Sequence, residues 1–343
     1  MAKVSRSFPS RIAPALTLMF MAPLIAEVLP GATRFSAIFV FPIEMLVWGG
    51  GAVMIRELVR RNGLGAYNMI AMALCLAIAE EWLIQQTSVA PVVIQLKGVV
   101  YARAWNVNYV YFLWAAVYEV VLVVCLPVML TELLFPTRRN DPWLSRTGWV
   151  VTGLLFVLGA FFAWFSWTQI ARVKVFHLPP YTPSAAQVAF AVAAVALLLF
   201  AALGPWRHRL AGLARPIAPP APPLLALGGA LWAVLWFGLE LLAFGIRPGF
   251  PPVLAIVLGL GVAGLLLVLL PGFALHRCWS ECHRAWLAAG TMLATMAIFF
   301  FAFIGAAPMD YWFKLITNAI AAMLFVALVV RFSRAGAAVP LHS

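Results

Sequence analysis

Val253-Leu-Ala-Ile-Val-Leu-Gly-Leu-Gly-Val-Ala-Gly-Leu-Leu-Leu-Val-Leu-Leu-Pro271 runs without a single ionisable or amide side chain. At about 1.5 Å of rise per residue, a helix of this length is long enough to cross a hydrocarbon core of about 30 Å. Several other stretches of 18 residues or more carry at most one or two ionisable groups. Across 343 residues the apolar fraction is 65% and the charged fraction 10%, with a mean hydropathy of +1.00. No soluble fold has an interior for that much apolar surface, so lipid is the expected solvent. Outer-membrane strands would alternate apolar and polar residues in ~10-residue segments. These stretches are apolar on every face, which predicts an all-α, polytopic transmembrane helical bundle.

Ten spans are expected, at roughly 12–29, 36–59, 66–86, 107–131, 147–168, 185–203, 224–245, 253–271, 286–306 and 311–331. They make one integral membrane domain of residues 1–343, with a mobile tail over 332–343. With both termini in the cytoplasm, the inner flanks hold 16 of the 23 basic residues. The outer flanks hold Arg34, Lys97, Arg103, Arg172, Lys174, Arg247 and Lys314. A missed or invented span would invert every later loop and destroy that contrast, so the charge supports the orientation and the even count. The formal charge of +12 is spread over short loops instead of one domain. The bilayer, and not nucleic acid, is therefore the expected partner, in a cell (inner or plasma) membrane. The sequence sets no oligomeric state.

Tyr101, Trp105, Tyr109, Tyr111, Trp143 and Trp149 lie near span ends and read as interface anchors. Residues 87–106, with Pro91, Gln95, Lys97 and Gly98, form the longest outer connection and suit a re-entrant or interfacial segment. Gly49, Gly50 and Gly51 in the second span point to close helix packing. Cys75, Cys125, Cys278 and Cys282 fall in spans or in a cytoplasmic loop and imply no disulfide framework.

The acids inside spans are the most informative residues, because an ionised carboxylate at mid-bilayer is disfavoured by about 2.5 to 3.5 kcal/mol. Glu44 lies about 12 Å below the outer boundary of its span, and Glu80 and Glu81 about 21 Å above the inner boundary of theirs. Glu27 and Glu240 fall in the outer third and Glu119 near the midplane. Glu80 and Glu81 point about 100° apart on a helix, so one neighbouring helix cannot hide both. Gln85 follows Glu81 by four residues and shares its stripe. Two adjacent carboxylates repel, which suits one to general-base or proton-carrying work near neutral pH. The plainer alternative is that each acid satisfies a neighbouring helix by hydrogen bonding.

Glu57, between Arg56 and Arg61 at a span's inner end, reads as an exposed ion pair, and Glu132 and Asp141 with Arg138 and Arg139 as cytoplasmic surface. His276, Cys278, Cys282 and His283 suggest a metal, but on a continuous helix the thiols and imidazoles face nearly opposite ways. That segment is expected to be an interfacial turn, with no metal and no cofactor. His177 reads as an ordinary loop residue. No phosphate loop, nucleophile elbow or zinc helix is present.

Residues from about Pro14 to Leu144 resemble a family of uncharacterised bacterial polytopic membrane proteins. The likeness rests on Met21-Ala-Pro-Leu-Ile-Ala-Glu27, Gly49-Gly-Gly-Ala-Val-Met-Ile-Arg-Glu-Leu-Val-Arg60, Ala79-Glu-Glu-Trp82 and Thr131-Glu-Leu-Leu-Phe-Pro136. The double-Glu helix is also similar to the first motif of the CAAX-protease and bacteriocin-processing (CPBP) intramembrane proteases, where Glu-Glu-x-x-x-Arg activates water with histidines from later helices. Here Gln85 stands in place of the arginine. Glu119, after Tyr118, stands where a histidine would be needed, and no histidine lies in any expected span. The resemblance therefore implies at most a shared fold with altered or lost chemistry, in which Glu80, Glu81 and Glu119 are the catalytic candidates.

The leading expectation is a binding protein with an outward-opening polar cavity lined by Glu44, Glu80, Glu81, Gln85, Glu119 and Glu240. It would take a polar or cationic small molecule or a lipid headgroup. A degenerate CPBP-like hydrolase and a proton- or cation-coupled transporter are the rivals.

Overall fold

In hydrocarbon a backbone amide must find its partner within its own segment, so the apolar runs become helices. A computed structural model describes residues 8–91, 101–247 and 249–337, with the backbone alone at 8–11, 211, 245, 336 and 337. Among the described residues, nine helices are long and apolar enough to cross a membrane, and a tenth is shorter. In chain order they are α1 Ile12–Val28, α2 Phe35–Arg61, α3 Ala66–Ile84, α4 Tyr109–Leu134, α5 Arg146–Val175, α6 Ala185–Leu203, α7 Pro222–Phe244, α8 Pro252–Leu275, α9 Glu281–Phe303 and α10 Pro308–Ala335. The chain is a multi-pass α-helical membrane protein. Its one two-stranded ribbon, among the described residues, pairs Arg103–Ala104 with Val107–Asn108.

The core lies toward the N-terminal helices. Of the apolar windows of α3 and α4, 61% is buried, against 11% for α8, whose outer face is left to lipid. The fourth helix is central and touches α1, α2, α3, α8 and α9, while α7 lies along α9 and α3 along α6. Two glycines set the closest approaches. A Cβ on Gly49 would sit 2.2 Å from the Met19 carbonyl oxygen of α1, and one on Gly290 2.0 Å from that of Ala226 in α7. The expected role of Gly49 in close packing is thus explained by direct backbone contact with α1.

Several expectations need correction. Glu57 and Glu132 are not an exposed pair and a surface acid: Arg56 and Glu57 are fully buried and Glu132 is 4% exposed. The reason is the chain after α4, which folds back over the inner end of α2. Arg56 pairs with Glu57 and Glu132, each at 3.3 Å, and donates to the carbonyls of Asp141 at 2.6 Å and Arg139 at 2.5 Å. Its guanidinium lies 3.5 Å over the ring of Trp143, which is buried and is no interface anchor. Arg60 holds both oxygens of Glu132, at 2.7 and 2.8 Å, and Arg61 reaches Glu57 at 3.1 Å. The Trp143 amide donates to Glu57 at 2.6 Å. Asp141 alone of these acids is exposed, 3.5 Å from Arg138.

Lys314, expected on an outer flank, is 1% exposed; it donates to the Leu29 carbonyl and lies 5.5 Å from the centre of the Phe303 ring. Nearby, Asp310 accepts from the amide and hydroxyl of Ser36 at 2.9 and 3.0 Å, so α10 grips both ends of the connection between α1 and α2, at Leu29 and in the first turn of α2. The fifth helix runs on to Val175, past the expected end at 168, and buries Arg172, which donates to the Pro179 carbonyl at 2.7 Å. Helix α10 continues past Phe332, given above to a tail, as far as Ala337.

In the outer connection, Thr87 to Ala90 are buried under the ribbon, with Asn108 donating to the Ser88 carbonyl at 2.8 Å. Tyr101 is buried there too, whereas Trp105 is 88% exposed. Gln95, Lys97 and Gly98 lie outside the described residues. The segment His276 to Ser280 is a turn, as expected, but α9 begins at Glu281 and takes Cys282 and His283 into its first turn. One histidine therefore does lie in a span.

Candidate functional site

The site is built where α1, α2, α3 and α4 meet, and in each of them the helix changes its winding beside an acid. The segments Leu24–Val28, Met45–Gly49, Glu80–Ile84 and Glu119–Cys125 are π-helical, and they hold or directly follow Glu27, Glu44, Glu80 with Glu81, and Glu119. A fifth, Leu241–Ile246, begins directly after Glu240 in α7. The bonds span five residues, as in Leu29 N–H to Leu24 C=O at 2.9 Å and Gln85 N–H to Glu80 C=O at 2.8 Å. Such turns are rare, poorer in geometry than the α-helix, and concentrated at functional sites. All six intramembrane acids thus sit at a local widening of their helix. One further such segment, Phe165–Val175, carries Arg172 and Lys174 instead.

Glu44, Glu80, Glu81 and Glu119 are buried, at 2% to 5% exposure, and Glu27 and Glu240 are half-buried. Glu80 occupies the centre: its carboxylate is within electrostatic reach of Glu27, Glu44, Glu81 and Glu119. Glu240 approaches from α7 and interacts with Tyr111 and Tyr118. The two tyrosines stand among the acids; Tyr118 donates to the Ala26 carbonyl, and Tyr111 is within electrostatic reach of Glu81, Glu240 and Glu119. Tyr111, read above as an interface anchor, belongs to this cluster.

Hydrogen bonding divides the acids. Glu81 is held by the hydroxyl of Ser88 at 2.5 Å and that of Thr87, and Glu44 by the hydroxyl of Thr33 through one oxygen. Glu80 has no hydrogen-bond partner on either oxygen, and Oε2 of both Glu44 and Glu119 is likewise open, among the described residues. Burying a carboxylate without partners is costly, and native proteins leave few such groups. Among the described residues none of the six enters an ion pair. Nor do three His, Cys, Asp or Glu side chains there come close enough to hold one metal ion. Compared with family models, with curated proteins and with solved structures, the chain matches none of them. The geometry must carry the functional reading by itself.

The residues that sequence reasoning passed over are the hydroxyl donors Thr33, Thr87 and Ser88. Their signal was weak: Thr87 and Ser88 lie six and seven positions after Glu81, beyond the helix, where the chain turns back along it. Gln85 is half-buried at the end of the π-helical turn. The donors to the Glu81 carboxylate come from Thr87 and Ser88.

Proposed function

We propose that this protein binds a cationic or polar small molecule, or a lipid headgroup, at the carboxylates of Glu44, Glu80 and Glu119, with Glu81, Gln85 and Glu240 around them. The observation that carries it is the bare Glu80 carboxylate, 2% exposed and centred among four other acids. A group of that kind is stabilised by a proton or by a partner that arrives from outside the described residues. The setting is a cell membrane with both termini inside, the orientation that the basic flanks favour. The test is carbodiimide labelling of carboxyl groups in the protein in nanodiscs, mapped by mass spectrometry against a panel of inorganic and organic cations. Glu80 is expected to label, and at least one cation to protect it; labelling indifferent to every cation removes the reading.

A coupled transporter is the second reading. It is favoured by the placement of the Arg56–Glu57–Glu132 network at the other end of the same two helices, α2 and α4, that carry Glu44 and Glu119. An acidic site at one end of a helix pair and an ion-paired seal at the other suit a site served from two sides in turn. Uptake of a protecting cation into proteoliposomes is then expected to respond to an imposed pH gradient, and uptake indifferent to the gradient counts against it. A CPBP-like hydrolase would rest on Glu80, Glu81 and Glu119, which are within electrostatic reach of one another, while His283 lies in the first turn of α9.

A further inference from the structure

Resting on the binding reading above, the geometry points to a ligand class: an ammonium group that carries N–H donors, in preference to a metal ion or a quaternary ammonium. The open acceptors are four carboxylate oxygens, both of Glu80 and Oε2 of Glu44 and Glu119. They arrive from three helices, α3, α2 and α4, that pack against one another. Positive charge alone answers only part of this arrangement. Each buried oxygen also lacks a hydrogen bond, and an unmade bond to a buried charged group costs more than the bond itself would return. An –NH3+ group offers three N–H donors together with its charge. A quaternary ammonium brings the charge and no donor.

A bare metal ion fits less well for a separate reason. Hard divalent cations need six or more oxygens at about 2.0 to 2.6 Å, whereas among the described residues no three acidic, thiol or imidazole groups approach one another that closely. An ammonium asks for fewer oxygens than a metal ion and meets each through a hydrogen bond about 2.7 to 2.9 Å long. Beside the acids the wall is aromatic. Tyr111 packs edge-on to Phe244 at 6.0 Å, Tyr118 to Phe237 at 6.2 Å, and Trp114 to Phe244 at 4.9 Å. A cation with a small apolar body would find ring faces and edges next to its charge.

The same headgroup chemistry is available from a free amine or from an aminophospholipid, and the experiment separates the two. Thermal unfolding of the full chain is followed in phosphatidylcholine nanodiscs with benzylamine, with benzyltrimethylammonium, or with Mn2+. Benzylamine is expected to raise Tm and to bind at least about tenfold more tightly than its trimethylated counterpart, as a site built for N–H donors rejects an analogue without them. Mn2+ is expected to leave Tm unchanged. Replacing a third of the lipid by phosphatidylethanolamine, with native mass spectrometry of what stays bound, assigns the source: retained ethanolamine lipid that benzylamine displaces marks the lipid. Glu80→Gln is expected to abolish the difference between the two amines, and Glu119→Gln provides the same reading should the first variant fail to fold. Equal or tighter binding of benzyltrimethylammonium, or binding of Mn2+ that protects Glu80, overturns the ammonium class and leaves the cation site standing. Glu80 labelling that no cation alters removes both.

Discussion

Two sets of buried charge share α2 and α4, and they are neutralised in opposite ways. At the inner end Arg56, Arg60 and Arg61 meet Glu57 and Glu132, and the remaining N–H groups reach main-chain carbonyls. About 18 Å further along α2, and about 20 Å along α4, Glu44 and Glu119 join Glu80 with open oxygens and no cation among the described residues. The first set is complete within the protein. The second has no such partners among the described residues. A buried charge by itself therefore says little about function; its unfilled hydrogen bonds say more.

The comparison can be broken at its complete end first. Arg56→Met still leaves Arg61 on Glu57 and Arg60 on Glu132, but it takes a buried donor from both acids and from the carbonyls of Asp141 and Arg139, and a loss of about 3 to 5 kcal/mol is expected. Arg56→Lys is expected to rescue only part of it, since an ammonium cannot lie flat on Trp143 while reaching two carbonyls. Unfolding of the purified protein in detergent measures both. A loss below about 1 kcal/mol in Arg56→Met would show that the network contributes little. At the open end the expected change is the smallest. Glu80→Gln removes a carboxylate that has no partner to lose, so without ligand its stability stays within about 1 kcal/mol of the parent or rises. A drop as large as that of Arg56→Met would mean that Glu80 is held by the fold after all, and the contrast would vanish.

The helices were legible because apolar length is an unambiguous signal. The expected span at 185–203 coincides with Ala185–Leu203, and most others differ by a few residues at each end. The fifth was cut short because Arg172 and Lys174 look like a boundary in sequence, although the helix carries Arg172 inside as it widens. The outer acids could be picked out for the same reason as the spans: a charge where lipid should be is conspicuous. Their division into held and open members could not, since Thr33, Thr87 and Ser88 act across loops. The inner network was misread for a related reason. Arg56, Glu57 and Arg61 at a helix end have the spacing of an exposed ion pair, and the residues that bury them, Glu132 and Trp143, come from more than seventy positions downstream.

The grip of Lys314 and Asp310 on the two ends of the turn that joins α1 to α2 ties the tenth helix back to the first hairpin. That turn is therefore fastened only once Asp310 and Lys314, near the end of the chain, have been made. Thr33, the only residue that bonds Glu44 among the described residues, sits on this turn between Leu29 and Ser36. The last helix in the chain thus steadies the turn that bonds Glu44, and a chain that stopped before Pro308 would keep all six intramembrane acids and lose that latch.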